Sequence, residues 1–157
     1  MGNGTTKPVI FISYSHKDEP KDGPDDEKWL SYVQYHLAPA VKSALFELWV
    51  DEDMPGGYRW KATIAAKLNA CDVCVLLVSP NSLASDYVID VEVKTITERQ
   101  KKEDVPLFPI VLKPFATKTV PWLMELNLRP PNGESLWDLE LDGCDRKRDR
   151  RYRRKDR

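Results

Sequence analysis

Glu92 is the residue whose position is hardest to explain by solubility alone. At about 100° per residue, Val88, Ile89, Glu92 and Ile96 share one arc of about 100° on a helix. The positions three and four residues to either side of it are Val88, Ile89, Thr95 and Ile96, with no Lys or Arg among them. Glu98 is the contrast. It has Lys94 four residues before it and Lys101 and Lys102 after it, the pattern of a solvated ion-pair face. A carboxylate turned toward a sheet has to be hydrogen-bonded, protonated or open to a cleft. Open to a cleft, it can act as an acid, a base or a stabiliser of a cation. Buried, it can be satisfied by a backbone amide or a hydroxyl, and Ser13 and Ser79 could supply one.

Other reactive side chains carry less. Cys71 and Cys74 have C-x-x-C spacing, but only Cys144, His16 and His36 remain as further metal ligands, and they form no second pair. Cys74 runs straight into Val75-Leu76-Leu77-Val78, so it lies within a strand rather than opening a helix. Both thiols read as small buried hydrophobes, and no metal site is expected. Neither G-x-G-x-x-G nor G-x-x-x-x-G-K-[ST] occurs, which argues against a conventional dinucleotide or nucleoside-triphosphate cradle.

The elements that must hold Glu92 follow from the apolar pattern. Residues 8–13, 46–50, 73–78 and 107–112 are short apolar runs and read as strands; such runs fit a parallel sheet buried on both faces. Between them, Trp29, Leu30, Val33 and Leu37 recur at helical spacing, as do Trp60, Ile64 and Leu68. Pro39 is expected to end or kink the first of these helices. Ser85 is a good N-cap, with Asp86 favourable in the first turn, for a third helix running to about Lys101. Pro109 in the fourth strand argues for an edge or a bulge. After Pro114 the chain turns irregular, and residues 135–139 are read as a short last strand. Strands alternating with helices imply an α/β fold with a parallel sheet covered on both faces. Such sheets bind ligands at the C-terminal ends of their strands. That rule selects Ser13-Tyr14-Ser15, Asp51, Ser79-Pro80 and Lys113.

Composition sets the outer limits. The 157 residues suit one domain, and 41% hydrophobic with 31% charged is ordinary for a globular protein. No apolar run is long enough for a membrane span, and three cysteines cannot make a disulfide framework, which points to a cytoplasmic protein. Charge is uneven. Residues 145–157 hold nine Lys or Arg and three Asp, a net of +6, so residues 1–144 carry −7. The body is not suited to nucleic acid, and the basic segment reads as a solvated tail or the start of a linker. Residues 1–7 read as a disordered leader and 8–144 as the folded domain.

Three stretches, taken together, resemble a Toll/interleukin-1 receptor (TIR) domain of bacterial type. They are Val9-Ile10-Phe11-Ile12-Ser13-Tyr14-Ser15-His16-Lys17-Asp18-Glu19; Leu48-Trp49-Val50-Asp51 with Met54-Pro55-Gly56-Gly57-Tyr58-Arg59-Trp60; and Ala70-Cys71-Asp72 through Ser79-Pro80, followed by Ser85-Asp86-Tyr87 and Glu92. The resemblance spans about Pro8 to Asp138. It implies a flavodoxin-like three-layer fold with a five-stranded parallel sheet. Many bacterial and plant members of the family, and one animal branch, cleave NAD+ at the nicotinamide–ribose bond, with NAD+ as substrate and no cofactor. Their catalytic glutamate falls on Glu92. The resemblance further places Tyr14, Ser15, Asp51, Trp60 and Ser79 near the substrate. It makes Asp53, Pro55, Gly56 and Gly57 part of the BB loop, through which such domains self-associate or meet other TIR domains. For Trp60 the alternative is core packing, and for Asp51 it is fixing the loop. A non-catalytic TIR–TIR interaction module, an adaptor or virulence factor, is the alternative for the whole chain. Family members usually close with an amphipathic helix. The stretch expected to supply it, Asp145 to Arg157, has Tyr152 as its one large apolar residue.

Overall fold

The computed structural model describes residues 6–50, 58–131 and 133–143, without the side chains of 58–60 and 140–143. Four strands, β1 (Val9–Ser13), β2 (Glu47–Val50), β3 (Val73–Val78) and β4 (Leu107–Val111), form one parallel sheet in the order β2-β1-β3-β4. Their continuous apolar character has a direct cause: alternate residues face two different cores. Phe11, Cys74, Leu76 and Val78 pack on one face with Ile64, Leu68, Val88 and Ile96. Ile12, Leu77 and Leu112 pack on the other with Trp29, Leu30 and Val33. Burying each such side chain contributes roughly 1.5–3 kcal/mol.

The helices supply those partners. α1 (Trp29–Lys42) covers the second face, and α2 (Tyr58–Ala70) covers the first. α3 (Pro80–Leu83) is a single turn that starts directly after β3. The helix after it opens at Asp86, with the Ser85 hydroxyl accepting the Val88 amide at 3.3 Å, as the sequence pattern requires of a cap. It then widens into a π-helical stretch, Val88–Val93, before continuing as α4 (Lys94–Glu103). The wide turn adds residues to the inward side, so Val88, Glu92 and Val93 are all buried. Arg99 of α4 donates to the carbonyls of Leu68 and Cys71 at 2.7 and 2.8 Å and binds Glu103 at 2.8 Å. It thereby ties the carbonyl end of α2 to the helix that carries Glu92.

Three expectations need correction. Pro39 does not end α1, which runs on to Lys42; Pro39 is exposed, where water can take the carbonyl that loses its amide partner. The sheet has four strands among the described residues, not five. The place beside β4 is taken by Arg129 alone, which pairs with Ile110; its N–H donates to the Pro109 carbonyl at 3.0 Å and its carbonyl accepts the Val111 amide at 2.7 Å. The stretch read as a last strand is helical instead. After the short α5 (Pro121–Met124) comes α6 (Leu136–Gly143). Ser135 and Asp138 form its cap: the Ser135 hydroxyl accepts the Asp138 amide at 3.2 Å, and the Asp138 carboxylate accepts the Ser135 amide at 3.2 Å. Leu136 and Trp137 pack on the second core, so a packed helix lies just before the basic segment. The leader up to residue 5 and the segment from 144 onward lie outside the described residues. No helix among the described residues is long and apolar enough to cross a membrane.

Candidate functional site

The C-terminal ends of β1 and β3 are adjacent because these strands pair, with Ser13 opposite Leu76. Past Ser13 the chain leaves the sheet through Tyr14 and Ser15 and enters a 3-10 turn, His16–Asp18. Ser15 caps that turn, its hydroxyl facing the Lys17 amide at 3.4 Å and its carbonyl accepting the Asp18 amide at 2.9 Å. The turn drives Asp18 back inward to 1% exposure. There the Asp18 carboxylate accepts the Ser79 hydroxyl and, at 2.8 Å, the side-chain amide of Asn81. Ser79 is itself the N-cap of α3, in a reciprocal pair with Ser82: each hydroxyl accepts the other residue's amide, at 3.0 and 2.9 Å. One buried carboxylate thus joins the loop after β1 to the turn after β3.

The second buried carboxylate is Glu92, 2% exposed, which accepts the Ser13 hydroxyl. Glu98 on the same helix is exposed, as its lysine neighbours require. A cleft of about 230 Å3 opens between the segment after β1 and the start of the helix that carries Glu92, walled by Tyr14, Ser15, His16 and Lys17 on one side and Ser85, Tyr87 and Val88 on the other. Val88, four residues before Glu92 on the same helix, lines the cleft and is buried, as Glu92 is. Burial pushes the Cys74 thiol well above the ordinary range; the charges of Cys71 and Glu92 add to this, and Arg99 opposes it. The Cys71 thiol is raised as well, chiefly by burial, against the pull of Arg99. Both cysteines are buried and free, consistent with inert packing groups rather than nucleophiles.

The residues singled out from the sequence divide into four groups. Tyr14 and Ser15 line the cleft, and Ser13 and Glu92 are joined by a hydrogen bond at the same edge of the sheet. Ser79 sits at the same edge, fully buried, with its hydroxyl engaged by Asp18 and the α3 cap. Asp51, Asp53, Pro55, Gly56 and Gly57 lie outside the described residues, and so does the side chain of Trp60, whose backbone is in the first turn of α2. Lys113, just past β4, stands over Trp137 at 5.7 Å from the ring centroid. Pattern reading did not single out Asp18, Asn81 or Tyr87 for a role at this edge. Asp18 sits in a polar, Pro- and Gly-punctuated stretch without periodicity, where nothing marks one carboxylate as the buried one.

A parallel sheet covered on both faces, with hydroxyls and a buried carboxylate at the carboxyl ends of its central strands, is a doubly wound α/β domain with its site at the strand ends. The chain belongs to the TIR domain family, which it matches over residues 10–137. It is similar to the uncharacterised protein y4lF of Sinorhizobium fredii, with 30% identity over 129 residues that make up 82% of this chain and 37% of that protein. The chain therefore spans well under half the length of that bacterial relative. Its fold is similar to the TIR domains in the structure of the activated Roq1 resistosome directly recognising the pathogen effector XopQ. The TM-score is 0.54 at 14% identity, covering 74% of this chain and 64% of that one. The resemblance drawn from the sequence motifs therefore holds. The family includes both NAD+-cleaving enzymes and non-catalytic adaptors.

Proposed function

We propose that this domain is an NAD+ glycohydrolase that breaks the bond between nicotinamide and ribose, with Glu92 as its catalytic carboxylate, and that it serves as a cytoplasmic effector of bacterial immunity. The observation that carries this reading is the Glu92 carboxylate, held by the Ser13 hydroxyl at the carboxyl edge of the sheet, on segments whose neighbouring residues Tyr14, Ser15 and Val88 line a cleft. In the reaction the C1′–N bond breaks and its electron pair goes to the ring nitrogen. Nicotinamide leaves as a neutral molecule, so no acid has to protonate it. Positive charge builds on the ribose, and a carboxylate near the ribose hydroxyls stabilises it. Water adds to C1′ and loses its proton to give ADP-ribose; attack by the substrate's own adenine gives a cyclic product instead. Asp51, Trp60 and Ser79 are further candidates for holding the substrate.

Self-association through the loop holding Asp53, Pro55, Gly56 and Gly57 belongs to the same proposal, with neighbouring protomers completing each other's sites. The rate per molecule is then expected to rise with protein concentration, and Gly57→Pro to reduce assembly and activity together. A constant specific activity across a dilution series would instead indicate a self-sufficient monomer. One observation favours the second reading, a non-catalytic module that binds other TIR domains: Glu92 is 2% exposed and already hydrogen-bonded, as a purely structural carboxylate would be. Incubating concentrated protein with NAD+ and separating nicotinamide, ADP-ribose and cyclic products by chromatography decides between the two. Release of nicotinamide supports the enzyme. Its absence, in a protein that still binds other TIR domains, supports the module.

A further inference from the structure

On the face of the sheet opposite Glu92, the structure holds a second cavity of about 390 Å3 between α1 and the segment that leads into α6. Its size falls in the range of small-molecule sites, roughly 300–1,000 Å3. Its depth is apolar, with Val33 and Leu37 of α1, Ile110 of β4 and Leu136 at the start of α6. Its polar groups are Tyr32, His36 and Arg129, and none of the described residues that line it is acidic. The walls stand on regular structure: residues 32, 33, 36 and 37 share one face of a single helix. The backbone of Arg129 is fixed on both sides by its bridge to β4, with hydrogen bonds of 3.0 and 2.7 Å. The guanidinium therefore departs from an anchored point. Among the described residues no carboxylate pairs with it, and its side chain donates to the adjacent Leu128 carbonyl at 3.1 Å.

We infer that this cavity is a binding site for a small amphipathic monoanion, with its aliphatic or aryl body against Val33, Leu37, Ile110 and Leu136 and its carboxylate at Arg129. Charge complementarity selects this occupant. A cation at the rim that has no acidic partner among the described residues favours an anionic head, and a planar guanidinium matches a carboxylate in two-point contact. The same charge disfavours residues 145–157 as the occupant, since they carry nine Lys or Arg and one large apolar side chain. The inference stands apart from the NAD+ reading, because the cavity and the helix bearing Glu92 pack on opposite faces of the sheet.

The test uses the whole chain and three probes of one length: octanoate, octanamide and octylammonium, titrated by calorimetry and ligand-observed NMR. Octanoate is expected to saturate a single site, with octanamide and octylammonium at least about tenfold weaker. Arg129→Gln, at an exposed side chain, is expected to erase the preference for octanoate over octanamide without removing octanamide binding. Leu37→Trp, which fills the cavity, is expected to weaken both. Circular dichroism checks that each variant is folded. Three results would overturn the inference: no saturable octanoate binding up to roughly 10 mM, equal affinity for the acid and the amide, or a concentration-dependent dimer that buries this face and is lost in Arg129→Gln.

Discussion

Asp18 and Glu92 are the two carboxylates that the described part of the fold buries almost completely, at 1% and 2% exposure, and each accepts a hydroxyl from the end of a central strand. Their settings differ. Asp18 lies in a loop, and both its oxygens take donors from the β3–α3 turn, the Ser79 hydroxyl and the Asn81 amide. It closes a polar knot that fixes one wall of the cleft. Glu92 projects from a helix whose other inward residues are Val88, Val93 and Ile96, and it meets Ser13 at the edge of an apolar core. Equal burial therefore does not mean equal roles. A carboxylate satisfied by neutral donors within a loop–turn junction holds structure. One carried in the apolar stripe of a helix, where Leu or Ile would be ordinary, and joined to the end of a central strand is placed where it can also serve chemistry.

Substitutions at the two sites should therefore separate. The largest effect is expected from Glu92→Gln. It keeps the shape and a partner for Ser13 but removes the charge, so NAD+ cleavage should fall by roughly 100-fold or more, about 3 kcal/mol of transition-state stabilisation. The melting temperature, read on the same sample, should change little. Asp18→Ala should do the reverse. It strands the Ser79 hydroxyl and the Asn81 amide at a cost of about 3 kcal/mol, which for a chain of this size lowers Tm by roughly 6–12 °C, while the turnover that remains per folded molecule still depends on Glu92. Calorimetry with parallel kinetics checks this, and an Asp18→Ala protein as stable as wild type would remove the contrast.

A smaller effect is expected from Ser13→Ala, which deletes the donor to Glu92. Stability should drop by about 1–2 kcal/mol and activity by roughly tenfold. An effect on stability alone would mean that the hydroxyl only satisfies a buried group.

The smallest effect is an alkaline one. The Cys71 and Cys74 thiols titrate higher in the folded protein than in the unfolded chain. The stability they contribute is complete below the unfolded thiol pKa of about 8.5 and is lost as pH rises toward the folded values. Urea unfolding between pH 7.5 and 10 should show that decline, and Cys74→Ala should flatten it. The charge of Glu92 is one cause of the Cys74 shift, so Glu92→Gln should trim the decline slightly, whereas Asp18→Asn should leave it as it is.

The framework of the fold was legible where one signal dominated. Val73 to Val78 is a strand as read, because six apolar residues stand between Asp72 and Ser79. The Ser85 cap and the inward position of Glu92 were equally plain. The π-helical stretch was not, since a regular wheel already put Glu92 on the inner side and gave no reason to look for a wider turn. α6 was missed because Leu136-Trp137-Asp138-Leu139 suits a strand or a helix equally well. The deciding signal was the Ser135-x-x-Asp138 pair across its first turn, a helix-start pattern. The fifth strand could not be judged from sequence because its place beside β4 is filled by one residue, Arg129, through backbone bonds that no side-chain pattern records. Asp18 was hidden for a similar reason: its burial comes from a 3-10 turn and a partner 61 residues away, neither of which leaves a period in the sequence.

The most direct measurement is nicotinamide release from NAD+ at high protein concentration, run side by side on wild type, Glu92→Gln and Asp18→Asn, with the melting temperature taken on the same samples. Wild type is expected to release nicotinamide. Glu92→Gln should melt as wild type does and release essentially none, and Asp18→Asn should melt lower while its folded fraction still turns over. A folded Glu92→Gln protein that cleaves NAD+ at the wild-type rate would contradict the assignment of Glu92 as the catalytic carboxylate.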